Sequence, residues 1–230
     1  MKEFYEEIKN LVKEHPGFSE DEAFTFWFVN YLHMDENLAE NSLTGMTGDK
    51  GIDALWVDDE AQTVNILQAK LRQQWGKHSE LRNDVLALLE IAKIFEDDTK
   101  KNSYFKGLDS KITRKLNRAV ERVKERKYKI NLHFITTGKI SRALRQEANS
   151  EKINYDLYDH TQLVNVWEDW EEGVAPAVGS YDLPIETGNF SSTTINRRDA
   201  QRDIDTWIVT VSSKNIGNMY TKIGKVLFAK

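Results

Sequence analysis

Asp53 and the tripeptide Gln68-Ala69-Lys70 are the residues of this chain best suited to do chemistry together. Apolar runs on either side of Asp58-Asp59-Glu60 predict a hairpin, with strands over 51–57 and 63–71 and a polar turn between them. A turn centred near residues 59–61 sets Asp53 opposite Gln68. Alternation along a strand puts Gln68 and Lys70 on one face with Val64 and Ile66, and Asp53 on the face of Leu55 and Val57. The hairpin is then apolar toward its turn and polar at its open end, where a carboxylate, a carboxamide and an ammonium meet. That set suits hydrolysis of a phosphodiester. A hard cation, Mg²⁺ or Mn²⁺, takes oxygen ligands. Asp53 offers a carboxylate, Ala69 its backbone carbonyl and Gln68 its amide oxygen. Lys70 would orient the attacking water or neutralise charge on the phosphate.

One carboxylate is a thin shell for a divalent ion, so a second is expected, and two residues compete for the place. Glu22 closes the capping-box pattern Ser19-x-x-Glu22 at a helix start, which by itself accounts for its type. Asp49 sits in the turn Gly48-Asp49-Lys50-Gly51, where aspartates are common for local reasons. Asp58, Asp59 and Glu60 belong to the solvated turn at the far end.

The elements that must position these groups alternate along the chain. Residues 2–14 predict an amphipathic helix, broken at His15-Pro16-Gly17. Phe24 to Leu32 predicts a helix that is apolar nearly all round and therefore buried. After the hairpin come a helix over 81–95, helical spacing at Ile112, Leu116, Ala119, Val120 and Val123, and a strand over 130–136. A helix over 141–149, a strand over 153–158 and a helix over 161–170 complete the pattern. Strands alternating with helices predict an α/β domain with a central mixed sheet flanked by helices. Residues 173–194 hold two of the three prolines and a Ser/Thr run, and 173–196 are read as a linker. A new pattern follows, with a strand over 206–211 and a helix over 216–228. About forty residues make no comfortable core of their own, so the chain is read as an N-terminal piece of a longer protein.

Composition narrows the class. Of 230 residues 40% are hydrophobic, enough for a core, and there is no cysteine, so a metal site must use oxygen or imidazole. No apolar run is long enough to span a membrane and the N-terminus lacks a signal region, so the expectation is cytoplasmic. The net charge is −5, yet residues 100–129 carry 12 Lys/Arg against Asp109, Glu121 and Glu125, a local +9. Arg114, Lys115, Arg118 and Arg122 are candidate phosphate contacts there; the plainer account is a solvated helix face. His33, His78, His133 and His160 form no pair with metal-ligand spacing. His133, in a predicted strand, is expected to be packed or bonded, His160 to neighbour a helix cap, and His78 to lie in a loop near the site, where it is a candidate phosphate contact.

The ordered set Gly48-Asp49-Lys50-Gly51-Ile52-Asp53-Ala54, then Ile66-Leu67-Gln68-Ala69-Lys70, resembles the PD-(D/E)xK nuclease superfamily. It is most similar to the Mrr-like branch in which Gln replaces the acidic residue. Phe134-Ile135-Thr136-Thr137-Gly138 with Ser141, and residues 156–163, resemble later parts of that fold, so the likeness covers roughly 19–170. It implies a restriction-endonuclease-like αβββαβ core with a C-terminal extension, and a nuclease domain over 1–172. By position it makes Asp53, Gln68, Lys70 and Glu22 the catalytic set, with Asp53, Gln68, Glu22 and the Ala69 carbonyl as metal ligands. Residues 218–230 are similar to the start of the second region of AIPR proteins, the abortive phage infection family, which implies phage defence and places a truncated second region at 197–230. The partners implied are nucleic acid, DNA before RNA, a further C-terminal domain and a second copy of the chain, with no membrane. Beside the nuclease stand two other readings: a nucleic-acid-binding module that keeps the fold without cleaving, and an interaction domain whose polar cluster is only an ion pair.

Overall fold

The computed structural model describes residues 1–45, 50–150, 152–172, 195–199, 202–206 and 211–223. The chain divides into two units, Met1–Pro176 and Ala177–Phe228.

In the first unit a four-stranded mixed sheet is flanked by helices. Its strands are β1 (Ala54–Asp58), β2 (Thr63–Lys70), β3 (Lys129–Thr136) and β4 (Asn154–Tyr158), ordered β1-β2-β3-β4. β1 runs antiparallel to β2; β2, β3 and β4 are parallel. Asp58 pairs with Thr63, and Asp58 Oδ1 accepts the amides of Glu60 and Ala61 at 2.9 and 2.8 Å, which fixes the turn and with it the register.

Alternation sorts the strand residues into two cores. Leu55, Val64, Ile66, Leu132 and Phe134 pack with helices α4 (Arg82–Ala92), α6 (Ser110–Arg126) and α7 (Arg142–Asn149). Ala54, Trp56, Leu67, Ala69 and Ile135 pack with α1 (Lys2–Glu14), α2 (Glu20–His33) and α8 (His160–Glu171). On that second face Phe4 meets Trp27 edge-on at 5.0 Å and Trp167 at 5.5 Å. Helix α2 is buried continuously from Ala23 to Tyr31, as its all-round apolar sequence requires. It starts on the predicted capping box: Ser19 Oγ accepts the Glu22 amide at 3.1 Å and Glu22 Oε2 accepts the Ser19 amide at 3.0 Å. Ser19→Ala is expected to lower stability by about 1 kcal/mol in a denaturant titration; no change would mean the cap is redundant.

Two short helices escape sequence periodicity: α3 (Glu36–Ser42) and α5 (Asp98–Phe105), the latter with no buried residue. The second unit shows a hairpin of β5 (Ile195–Asp199) and β6 (Arg202–Thr206), and a helix α9 (Ser213–Ile223). This hairpin takes the last two residues of the expected linker, 195 and 196, and ends at Thr206, where the strand expected over 206–211 begins. Residues 173–194, 207–210 and 224–230 lie outside the described residues, and with them the rest of the linker and most of that strand. Among the described residues no helix is long and apolar enough to cross a membrane.

Candidate active site

At the open end of the hairpin the strand alternation breaks. Ala54 pairs with Leu67, yet the amide of Asp53 also bonds to Leu67 O, at 2.9 Å. Two residues therefore oppose one, the pattern of a β-bulge. Its consequence shows in the cores: Ile52 and Leu55 bury on the same side of the sheet, and Ala54 on the other. The expectation that Asp53 shares a face with Leu55 and Val57 by simple alternation is corrected accordingly. The bulge turns Asp53 toward β2, where its Oδ2 accepts the Ala69 amide at 2.7 Å, in place of a ladder carbonyl. Before it, Leu43 bridges to Ala54, and the Thr44 amide bonds to Asp53 O at 3.1 Å.

That bond also orients the Ala69 carbonyl. In a strand, one residue's N–H and C=O point to the same neighbour, and the next residue's point to the opposite one. Lys70 O accepts from Thr137, on the β3 side, at 3.2 Å. Ala69 N–H points to Asp53, so the Ala69 carbonyl faces the Asp53 side as well.

A cavity of about 420 Å³ opens here. Asp53, Ala69, Lys70 and Arg72 line it from the hairpin, and Asp21 and Glu22 from the first turn of α2. The structure thus brings together three of the four proposed catalytic residues, Asp53, Lys70 and Glu22, with the Ala69 backbone. Glu22 does two things at once: its Oε2 closes the capping box, receiving the Ser19 amide and, at 3.1 Å, the Ser19 hydroxyl, and the residue walls the cavity. Asp21 belongs to no motif in the sequence; its only signal is being an acidic neighbour of Glu22. Asp49 lies outside the described residues.

Gln68 stands behind the wall. It is 5% exposed, and its Oε1 is buried without a hydrogen-bond partner among the described residues. Its carboxamide lies against Gly51, where an added Cβ would sit 3.1 Å from Nε2; Gly51 has φ +87°, so the position favours glycine on both counts. The oxygen donors in and behind the cavity are carboxylates, a backbone carbonyl and a carboxamide, the types a hard divalent cation takes. Among the described residues no three His, Asp or Glu side chains form a ready metal cluster.

The basic residues of α6 are placed elsewhere. Arg118 and Arg122 bond to Asp59 at 3.3 and 2.9 Å, and Tyr128 adds its hydroxyl to the same carboxylate at 2.9 Å. These bonds, that of Tyr128 first, hold the Asp59 carboxyl below its usual range. Asp59 is in the turn, the end of the hairpin away from Asp53. The Lys115 ammonium donates to the carbonyls of Asn41 and Leu43, the latter at 2.7 Å, and burial with Lys111 nearby pushes its pKa down to about 8. Arg114 is exposed. Three of the four candidate phosphate contacts are thus committed to partners within the protein.

The histidines divide similarly. His133 is buried between Asn65 and Asp156 and stacks on Trp56 at 5.6 Å. His33 meets the same ring edge-on. His160 opens α8 after the capping Asp159 and lies 3.0 Å from Gly138 O. His78 is exposed in the loop after β2. Comparison with known proteins returns no matching family model, curated protein or solved structure.

Proposed function

We propose that the chain is a divalent-cation-dependent nuclease that hydrolyses phosphodiester bonds, DNA before RNA, at the open end of the hairpin. One observation carries the proposal: Asp53, Lys70, Glu22 and the Ala69 backbone, from two separate elements, converge on one cavity. The mixed sheet agrees with a restriction-endonuclease-like αβββαβ core in which the first strand is reduced to the Leu43–Ala54 bridge. The likeness to Mrr-type and AIPR sequences adds phage defence as the setting.

The residues fit Mg²⁺ or Mn²⁺. Every donor is a hard oxygen, and Gln68 Oε1 is a buried acceptor without a bond among the described residues. Asp53, Glu22 and the Ala69 carbonyl would hold the ion, with Gln68 supporting from behind. Bound there, the ion would supply Lewis-acid charge and an activated water. Asp53 is preorganised for its part, because the Ala69 amide fixes one of its oxygens. Lys70 is only half-buried and sits next to Ala69, so its ammonium can neutralise the charge that builds on phosphate oxygens. Removing the ion should abolish activity. Plasmid, linear duplex, single-stranded DNA and RNA are incubated with Mg²⁺, Mn²⁺ or EDTA, and products appear with either metal and not in EDTA. Cleavage that persists in EDTA overturns the assignment.

A second reading, binding without cleavage, has one observation in its favour: Gln68 carries no charge where the resembled family has an acid. Stable complexes without products under every metal condition would select it.

A further inference from the structure

We propose that the nucleic-acid backbone is gripped by two joined loops at the carboxyl ends of β2 and β3, through Lys77, His78 and Lys139, and not by α6. That the ligand is a polynucleotide rests on the nuclease reading; the location rests on charge and geometry.

Charge comes first. In a chain of net charge −5, residues 70–79 contain Lys70, Arg72, Lys77 and His78 and no acid, and residues 136–146 contain Lys139, Arg142 and Arg145 and no acid. Two of these cations are committed internally: Arg72 to Glu80, and Arg145 to Asp159, Gln162 and the Leu157 carbonyl. Lys77, His78 and Lys139 are exposed. The acid that ends the first segment, Glu80, has a fully buried side chain neutralised by Arg72, so it subtracts little from the field outside.

The two loops form one rigid unit. The Lys139 amide bonds to His78 O at 2.7 Å, the Glu80 amide to Lys139 O at 2.9 Å, and the Gly76 amide to Thr137 O at 2.8 Å. Ser79 and Lys139 form a parallel bridge. Gly138 permits the approach: a Cβ there would meet Glu80 Oε1 and lie 2.9 Å from His78 O. Cations on a fixed frame lose little freedom on binding, which favours affinity.

Position completes the case. Thr137 bonds Lys70 O through its amide and the Arg72 amide through its hydroxyl, at 3.2 and 2.7 Å. Lys70 and Arg72 are on the cavity wall, so the loops begin where the site ends. A polyanion lying on them runs past Asp53. One on Arg118 and Arg122 would meet cations already paired with Asp59 at the other end of the hairpin.

The test is binding in EDTA, so that cleavage plays no part. The full chain is titrated against fluorescein-labelled duplex and single-stranded DNA, read by anisotropy across a range of KCl, with circular dichroism melts to confirm folding. Lys77→Glu/Lys139→Glu should weaken binding by at least about 10-fold and reduce the salt slope by roughly two. Lys77→Gln/Lys139→Gln should give a smaller loss, as neutralisation is milder than reversal. Lys111→Glu/Arg114→Glu on α6 should bind as the parent does. Unchanged binding by both loop variants, loss confined to the α6 variant, or no DNA binding by the parent at low salt would each overturn the proposal. If the loop variants lose binding while no metal supports cleavage, the nuclease reading fails and this assignment stands. If the parent cleaves and the loop variants bind and cleave equally well, the reverse holds.

Discussion

Asp53→Asn is expected to slow cleavage by about 100- to 1000-fold while the protein stays folded. The carboxylate has two separable jobs. One oxygen accepts the Ala69 amide at 2.7 Å and fastens the bulge to β2. The second job is to bring its charge to the cavity that the residue lines. Asparagine keeps an acceptor for the amide and loses the charge, so the structural job survives and the chemical one does not. Asp53→Ala removes both and adds a destabilisation of about 1–2 kcal/mol for an amide left without its acceptor. Lys70→Ala should match the rate loss of Asp53→Asn, because Lys70 lines the same cavity. Initial rates on linear duplex in Mg²⁺, with a thermal melt of each variant, separate the two jobs. An Asp53→Asn protein that cleaves at the parental rate would remove this residue from the site.

The distinction between those jobs rests on the bulge, and the bulge is what strand periodicity could not reveal. Apolar alternation over Val64, Ile66 and their β1 partners identified the hairpin, its turn and its register, because each of those residues must enter a core. One extra residue at Asp53 leaves that pattern intact everywhere except at the functional position. The capping box at Ser19 was legible because it is a local motif, four residues long. Its placement beside Asp53 was not, since α2 reaches the cavity through tertiary packing of Phe24 to Tyr31. The basic face of α6 shows the same limit. Its helical spacing is read from Ile112, Leu116 and Ala119, but nothing local announces that Arg118 and Arg122 close on Asp59, some sixty positions away. The helices α3 and α5 are short and polar, too short for periodicity to register. Lys70 and His78 single out the segment 70–79 in the sequence, but Lys77 does not stand out, because its charge matters only once the segment is joined to 136–146.

That junction depends on one buried ion pair, and removing half of it is expected to have the largest effect on stability of any change near the site. Glu80 has no exposed side-chain surface; Arg72 Nε reaches its Oε1 at 2.9 Å and Thr136 Oγ1 reaches the same oxygen at 2.6 Å. Arg72→Met leaves a carboxylate in the interior with one hydroxyl for company, at a cost of about 3–5 kcal/mol at neutral pH. The pH dependence carries a definite sign. In the parent, burial acts to raise the Glu80 pKa, but the bonds from Arg72 and Thr136 outweigh it and the carboxyl titrates below its ordinary value. Its contribution is therefore present above the unfolded-state pKa and lost as pH falls through the folded one. In Arg72→Met burial acts without the guanidinium, so the folded pKa moves above the ordinary value. The penalty is then full at neutral pH and shrinks as acid protonates the group. Urea titrations should show the gap between parent and variant narrowing on acidification from neutral toward the ordinary carboxylate range. Arg72→Met/Glu80→Gln should recover part of the loss, since it removes the uncompensated charge along with its partner. A gap that widens in acid, or a double variant no more stable than Arg72→Met, would show that the pair does not hold the loops. The Glu80 amide is also the donor to Lys139 O, so a loosened Glu80 frees the segment carrying Lys139. Stability at Arg72 and the grip of the loops on a polyanion should for that reason fall together.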